Sequence, residues 1–142
     1  MTIRIEHANM IVRDVDASVR FLQTAFPEFR VRREGNGEQR WAHIGTDETY
    51  IALNEAVSEP PERWVPYSGK PGVNHLGYEV DDVDALRQRM RAAGYKESTV
   101  PNNHPYRKRV YFNDSDGNDW EFVQYFSDDP AKRNDYEIPD PA

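Results

Sequence analysis

The chain repeats part of itself, and this repeat constrains the fold more than any other feature of the sequence. Residues Ile5–Ala17 return without a gap as Val73–Ala85, so that His7 recurs as His75, an offset of 68 residues. The other residues shared by the two copies include Val12, Asp14, Val15, Asp16 and Ala17. The repeat predicts two equivalent strand-then-helix units, each starting with a histidine. A histidine that recurs together with its neighbouring residues indicates a functional role more strongly than a single histidine does.

The hydrophobic pattern extends both copies into the same order of elements. Eight segments have the apolar or alternating character of strands: 3–12, 29–33, 40–45, 49–54, 73–80, 95–99, 109–113 and 119–126. Two apolar stripes recur at helical spacing: Val15, Val19, Leu22 and Phe26, then Val83, Leu86, Met90 and Ala93. The expected helix caps are Asp14 or Asp16, Asp82 or Asp84, and the helix stop Gly94. The order βαβββ, found twice, predicts an α+β fold.

The domain organisation follows from this pattern. We predict a first βαβββ module at residues 1–57 and a second at 73–126, sharing one core. Residues 58–72 are rich in proline and glycine and predict a connector. Residues 127–142 are polar and punctuated by prolines, which predicts a loose C-terminal tail. Tyr136 and Ile138 leave open a docking role for this tail on a neighbouring subunit.

Composition excludes several classes of function. The chain has no cysteine, which excludes disulfides and thiolate sites and leaves nitrogen and oxygen as metal ligands. A formal net charge of -7 argues against a nucleic-acid partner. The one dense basic run, Arg107–Arg109, predicts a solvated strand end. The apolar runs are too short for a membrane span and the N-terminus has no secretion pattern, so we expect a cytoplasmic protein.

Side-chain alternation places both histidines on the strand faces that point away from the helices. The later strands of the two halves align at an offset of 69, Trp41–Asn54 against Val110–Val123. This alignment matches Ala52 with Glu121, which lies in a mainly apolar strand. An isolated carboxylate is costly to bury there unless a partner or an ion compensates its charge. His7, His75 and Glu121 are therefore candidate ligands of one metal ion.

Other ionisable residues fit such a site less well. Glu79 shares the face of His75, but it lies four residues further on, roughly 13 Å along a strand, and cannot bind the same ion. His43 and His104 stand outside the repeated positions, which predicts strand packing for the first and loop exposure for the second. Glu55 is an odd number of residues from Ala52, so regular alternation points its side chain away from the face that carries the candidate metal ligands.

The paired βαβββ plan, the two histidines and the stretch Tyr111–Glu121 resemble the vicinal oxygen chelate superfamily. This superfamily contains glyoxalase I, extradiol dioxygenases, fosfomycin-resistance transferases, methylmalonyl-CoA epimerase and bleomycin-binding proteins. The resemblance covers residues 3 to about 126, and its Asp-x-Asp-Gly-Asn-x-x-Glu pattern is specific for the superfamily but for no single activity. It implies a U-shaped, partly closed eight-stranded sheet around a central groove. The groove would hold a divalent ion, and in this superfamily the structure around the ion is often completed across a homodimer.

Carried over by position, the resemblance makes His7, His75 and Glu121 the metal ligands. Glyoxalase-type members have a fourth ligand where this chain has Ala52, so lactoylglutathione lyase activity is not expected. Two histidines and one carboxylate suit Fe(II) or Mn(II), with Zn(II) or Ni(II) as alternatives. The resemblance to extradiol dioxygenases places Tyr111 as a catalytic residue.

The function expected from these residues is a metal-dependent enzyme whose small organic substrate chelates the ion through neighbouring oxygens. Fosfomycin-type transferases use the same ligand types, so dioxygenase-like and lyase- or transferase-like reactions both stay open. Asn54 is a candidate substrate contact, or else it closes the strand end by a hydrogen bond. The alternatives are a metal-free protein that binds a small molecule or antibiotic, as bleomycin-resistance proteins do, and a non-catalytic dimeric scaffold.

Overall fold

The computed structural model describes residues 2–59 and 62–138. Three parts of the predicted segments lie outside the described residues: Met1, Pro60–Pro61 and 139–142. By its internal contacts the chain forms two compact units, Met1–Arg63 and Trp64–Ala142. The boundary between the units falls inside the segment that the sequence predicts as the connector.

Within residues 2–59, the first unit contains four strands and one helix. They are β1 (His7–Val12), α1 (Val15–Ala25), β2 (Arg30–Asn36), β3 (Arg40–Gly45) and β4 (Tyr50–Glu55). The strands form one sheet in the order β1-β4-β3-β2. Strand β1 runs parallel to β4, and the other neighbours are antiparallel.

The second unit has the same order of elements and adds a short helix near its end. Its elements are β5 (His75–Glu79), α2 (Val83–Ala92), β6 (Lys96–Glu97), β7 (Arg107–Asn113), β8 (Asp119–Tyr125) and α3 (Pro130–Arg133). The sheet order is β5-β8-β7-β6, with β5 parallel to β8. The α+β class and the two βαβββ modules predicted from the sequence are confirmed.

Both long helices begin at an aspartate that the repeat predicts. The side chain of Asp14 accepts a hydrogen bond from the backbone N–H of Ala17 at 3.0 Å, and Asp82 accepts one from Ala85 at 2.9 Å. Such a cap satisfies a backbone donor that the helix leaves unpaired and contributes about 1 kcal/mol. Gly94, at φ +85°, follows the end of α2 as expected, because this left-handed conformation favours glycine.

The helices bury most of the predicted stripes against the sheets. The buried residues of α1 are Val15, Ser18, Phe21, Leu22 and Ala25, and those of α2 are Val83, Leu86 and Met90. Val19, which belongs to the predicted stripe, is only half-buried. Ser18 and Phe21, which do not belong to it, are buried instead. Ala93, the residue after the end of α2, is exposed.

Strand pairing shows that the two modules do not align at one constant offset. The buried, helix-facing residues correspond as follows: Ala42 and Ile44 with Val110 and Phe112, and Ile51 and Leu53 with Trp120 and Phe122. The offset is thus 68 between β3 and β7, but 69 between β4 and β8. The additional residue lies in the turn at 114–118, which is one residue longer than the turn at 46–49.

This shift corrects the ungapped alignment of residues 41–54 with 110–123. Tyr111 occupies the position of His43, and not that of Ala42. The match of Ala52 with Glu121 holds, since Ala52 pairs with Asn9 and Glu121 pairs with Gly77 in the two parallel ladders. His43 is therefore inside the repeated pattern.

Several predicted strands are shorter than expected, and the largest differences are in β1, β5 and β6. Strand β1 begins at His7 and not at residue 3, because its partner β4 begins at Tyr50, which lies opposite His7. Ile3 and Ile5 precede the ladder and are exposed. Strand β6 has two residues where the sequence predicts five. No helix among the described residues is both long and apolar enough to cross a membrane.

The described part of the C-terminal tail packs on the second sheet, whereas the sequence predicts a loose segment. Arg133 donates two hydrogen bonds to Glu79, at 2.9 and 2.8 Å. Asp135 lies 2.9 Å from His104 Nε2, and its backbone oxygen accepts from Arg107 at 2.8 Å. The expected exposure of His104 and Arg107 is therefore wrong: both are buried, because the tail supplies the partners that buried polar groups need.

Candidate functional site

The second unit brings together two of the predicted ligands. His75 begins β5, and Glu121 lies in the neighbouring strand β8 on the face opposite to the buried Trp120 and Phe122. The distance between His75 Nε2 and Glu121 Oε2 is 2.9 Å. The Glu121 side chain is 15% exposed and that of His75 33%, so a ligand can reach the pair while water has limited access to it.

The other ring nitrogen of His75 has a partner from the predicted connector. The Tyr67 hydroxyl lies 2.8 Å from His75 Nδ1 and donates to Asp119 Oδ2 at 2.7 Å. The second oxygen of Asp119 accepts from Ser98 at 2.6 Å and from Asn113 at 3.3 Å. His75 thus has a partner at both nitrogens: Glu121 contacts Nε2 directly, and Tyr67 links Nδ1 to Asp119.

Tyr111 lies next to this pair on β7, opposite Glu121. Its ring meets that of His75 edge to face, with centroids 5.7 Å apart and an angle of 89°. Burial and, next, the charge of Glu121 raise the pKa of Tyr111 to about 12. The phenol is therefore protonated at neutral pH, so that Tyr111 acts there as a hydrogen-bond donor and not as a base.

In the first unit, His7 lies in a different setting. Its Nδ1 is 2.8 Å from Glu6 Oε1, and the hydrogen bond to His7 holds the pKa of Glu6 below its usual value. The His7 ring stacks on Tyr50 with centroids 4.8 Å apart, and Tyr50 stacks on His43 at 4.9 Å. The Arg32 guanidinium lies 4.2 Å from the Tyr50 centroid. His43 packs within its strand neighbourhood, as the sequence predicts.

Asn54 and Ala52 lie on the same strand as Tyr50. The Asn54 amide donates to Asn9 Oδ1 at 3.1 Å, which links β4 to β1. This contact is the strand-closing hydrogen bond that the sequence allows for Asn54. Ala52 is buried and has no donor atom for a metal. The face of the first sheet therefore contributes His7 as its metal-ligand candidate.

The donor atoms of the second unit fit a small divalent cation. Two ligands at right angles, each about 2.1 Å from such an ion, lie about 3 Å apart, close to the observed separation of His75 and Glu121. A nitrogen and an oxygen donor are also the ligand types left to a chain without cysteine. Within residues 2–59 and 62–138, the structure shows no group of three or more histidine or acidic side chains that could hold a metal ion. The pair is therefore an incomplete metal site by itself.

Tyr67 and Asp119 were missed by the sequence reasoning. Asp119 could have been found, because it precedes Glu121 by two residues and alternation places both on one strand face. Tyr67 gave no such signal, because the proline- and glycine-rich segment around it has no periodicity that predicts where a side chain points.

Comparison with known proteins identifies the family. The model of the Glyoxalase/Bleomycin resistance protein/Dioxygenase superfamily matches residues 4–122. The chain belongs to this superfamily, which confirms the resemblance found in the sequence. No curated protein sequence matches the chain.

Several solved structures have the same fold. The glyoxalase/bleomycin resistance protein/dioxygenase domain from Frankia sp. EAN1pec is 21% identical, with a TM-score of 0.73 over 95% of this chain and 100% of that chain. The fosfomycin resistance protein FosX from Mesorhizobium loti is 21% identical, with a TM-score of 0.63 over 86% and 91% of the two chains. A FosX variant from Listeria monocytogenes, in complex with Mn(II) and 1S,2S-dihydroxypropylphosphonic acid, is 18% identical, with a TM-score of 0.68 over 95% and 100%.

Proposed function

We propose that this protein is a metal-dependent enzyme whose small organic substrate binds the metal through neighbouring oxygen atoms. The observation that carries the proposal is the convergence of His75 Nε2 and Glu121 Oε2, 2.9 Å apart, on one face of the second sheet. A half-buried carboxylate on an apolar strand needs a compensating charge, and an imidazole beside it adds a second metal donor.

In this proposal His75 and Glu121 hold a divalent ion together with His7. The role of His7 comes from the sequence, where it has the same place in the repeat as His75. His7 of the same chain, or of a second copy in a homodimer, satisfies the proposal equally. The donor set suits Fe(II) or Mn(II), with Zn(II) or Ni(II) as alternatives. The Mn(II) bound by FosX, a protein of the same fold, supports a divalent ion.

Such an ion, when bound, supplies Lewis-acid polarisation and a template for two substrate oxygens. Tyr111 keeps its proton at neutral pH and can donate a hydrogen bond to Glu121 or to a substrate oxygen. Asn54, held by Asn9, is the proposed substrate contact on the first sheet. Ala52 adds no fourth ligand, which leaves positions for substrate and argues against lactoylglutathione lyase activity.

The substrate class follows from this chemistry. The ligand in the FosX complex has hydroxyls on adjacent carbons, which supports a substrate with neighbouring oxygens. Dioxygenase-like and lyase- or transferase-like reactions are both consistent with the residues present. The homodimer and the cytoplasmic location expected from the sequence belong to the same proposal.

A second candidate is a metal-free protein that binds a small molecule, as in bleomycin resistance. One observation favours it: 2.9 Å is also an ordinary N–H···O distance, so an N–H at His75 Nε2 satisfies Glu121 without an ion. The two candidates differ in whether the pair takes up a metal.

Metal analysis separates these candidates. The protein is purified without chelator or metal-affinity step, reconstituted with Fe(II), Mn(II), Zn(II) or Ni(II), and assayed for bound metal. We expect the wild type to bind about one equivalent of metal per proposed site. His75→Ala and Glu121→Ala should each weaken metal binding more than about 100-fold, because loss of a ligand costs more than loss of a residue that only orients one.

His43→Phe is the matched control, since it removes an imidazole from the first sheet but keeps a ring beside Tyr50. This variant should bind metal as the wild type does. Less than about 0.2 equivalents in the wild type, unchanged in His75→Ala, would overturn the enzyme proposal and favour the metal-free binding protein.

A further inference from the structure

The contacts of His75 point to residues that act on it from outside the proposed ligand set. We propose that Tyr67 and Asp119 form a positioning pair that fixes His75 as the Nδ1–H tautomer and so presents Nε2 as the metal-binding atom. This inference rests on the proposed function for the metal, but the tautomer it assigns can be measured without one.

The argument starts from the hydrogen bonds of Asp119. Its Oδ2 accepts from Tyr67, and its Oδ1 accepts from Ser98 and Asn113. Ser98 and Tyr67 approach to 2.6 and 2.7 Å, the short distances typical of hydroxyl donors to an ionised carboxylate. Both oxygens of Asp119 are thus occupied as acceptors, and the carboxylate has no proton of its own to donate.

The proton of Tyr67 then decides the tautomer of His75. A phenol has a single proton, and Tyr67 gives it to Asp119. The contact of 2.8 Å between the Tyr67 oxygen and His75 Nδ1 therefore requires that Nδ1 carries a hydrogen and donates it. A neutral imidazole has one N–H, so Nε2 keeps its lone pair.

With this tautomer, the neutral His75 has no hydrogen on Nε2 to donate to Glu121. A lone pair on Nε2 faces a carboxylate oxygen at 2.9 Å, and two acceptors at this distance repel each other unless a proton or a cation lies between them. Metal-binding histidines commonly donate their other N–H to an acceptor that fixes the tautomer. Tyr67 and Asp119 provide this arrangement for His75.

Contacts within the segment before β5 hold Tyr67 in place. Tyr67 has φ 62°, in the left-handed region that is unfavourable for a residue other than glycine. Its backbone N–H donates to Asn74 Oδ1 at 2.8 Å, and the Trp64 indole donates to the Val73 backbone at 2.9 Å. Trp64 also lies over Gly72, where a Cβ would come within 2.4 Å of the ring. Although 57% of Tyr67 is exposed, its hydroxyl is fixed between His75 and Asp119.

The first test is the tautomer of His75 in the metal-free protein, measured by long-range ¹H–¹⁵N NMR at a pH where the ring is neutral. We expect the Nδ1–H form in the wild type, and a shift to a mixture with a major Nε2–H component in Tyr67→Phe. Tyr125→Phe is the matched control, because it removes a hydroxyl from β8 six residues away from Asp119. It should leave the tautomer unchanged.

The second test is the affinity for Mn(II), followed by titration and by the Mn(II) EPR signal. Tyr67→Phe and Asp119→Asn should each weaken binding about 10- to 100-fold, as is typical for residues that orient a ligand, and Tyr125→Phe should not. Circular dichroism of each variant shows whether the fold is kept. Tyr67→Phe remains informative if Asp119→Asn fails to fold.

The outcomes separate this inference from the proposed function. An Nε2–H tautomer in the wild type, or a tautomer and a Mn(II) affinity that Tyr67→Phe leaves unchanged, overturns the positioning pair even if metal binds. A wild-type protein that binds none of Fe(II), Mn(II), Zn(II) and Ni(II) but has the Nδ1–H tautomer overturns the proposed function and upholds the assignment of Tyr67 and Asp119.

Discussion

The two modules have matching helix-facing sides and different outer faces. Buried apolar residues occupy the same positions under both helices, and Asp14 and Asp82 start those helices in the same way. Four outer positions compare as follows: His7 with His75, His43 with Tyr111, Tyr50 with Asp119, and Ala52 with Glu121. Only the first of these pairs is identical.

The two modules orient the equivalent histidine in two ways. In the first module, His7 stacks on the strand residue Tyr50, and its Nδ1 has Glu6 as direct partner. In the second module, Asp119 takes the strand position, and a tyrosine from the preceding segment, Tyr67, connects it to His75 Nδ1. Both histidines therefore have a carboxylate on the Nδ1 side, reached directly in one module and through a phenol in the other.

The largest expected effect tests whether the helix-facing sides are equivalent. Ile44 and Phe112 occupy corresponding buried positions, so truncation to alanine should cost about 2–5 kcal/mol of unfolding free energy for Ile44 and about 3–5 kcal/mol for Phe112. Denaturant unfolding of both variants measures this. Ile11→Ala, at an exposed outer position, should cost less than about 0.5 kcal/mol. A cost below about 1 kcal/mol at only one of the two buried sites would show that the helix-facing sides of the modules are not equivalent.

Most of the fold could be predicted from the sequence because the repeat and the strand alternation can be recognised without knowing which strands pair. His7, His75 and Glu121 were predicted as ligands of one ion, and the structure places His75 and Glu121 2.9 Å apart. The single-residue shift between β3 and β7 could not be predicted, because it depends on the length of a turn. Such a shift moves every side chain of a strand to its other face, so only the strand pairing reveals that Tyr111 corresponds to His43.

The contacts of the tail are the next difference between the modules. Glu79 corresponds to Ile11, which is 70% exposed, whereas Glu79 binds Arg133 through both oxygens. The hydrogen bond from Arg133 lowers the pKa of Glu79 below its ordinary value of 4.5. A carboxyl group whose pKa is lower in the folded state stabilises the fold above its unfolded pKa, and this contribution is lost as the pH falls through the folded pKa.

We therefore expect Glu79→Gln to lower the unfolding free energy by at most about 1 kcal/mol at pH 7, because the pair is partly exposed to solvent. The difference from the wild type should shrink towards zero as the pH falls from 4.5 through the lowered pKa of Glu79. Unfolding titrations from pH 7 to pH 3 measure it. Arg133→Gln should show the same pH-dependent part plus a loss that does not depend on pH, because Arg133 also lies 4.0 Å from the centroid of the Tyr125 ring. The double variant should cost no more than Arg133→Gln alone. A difference that grows on acidification would contradict the lowered pKa.

The smallest expected effect concerns the residues that assist the helix starts. Glu55 Oε2 accepts from the Val15 N–H at 3.2 Å, and in the second module Gln124 Oε1 accepts from the Val83 N–H at 3.0 Å. The geometry matches, but only Glu55 brings a charge to the positive end of a helix. Glu55→Gln should therefore cost about 0.3–1 kcal/mol, and Gln124→Glu should gain a similar amount. Both changes keep the hydrogen-bond acceptor, so the remaining effect is electrostatic and should fall at about 1 M salt. Effects of the same sign in the two variants, or effects that salt leaves unchanged, would show that packing and not charge distinguishes these helix starts.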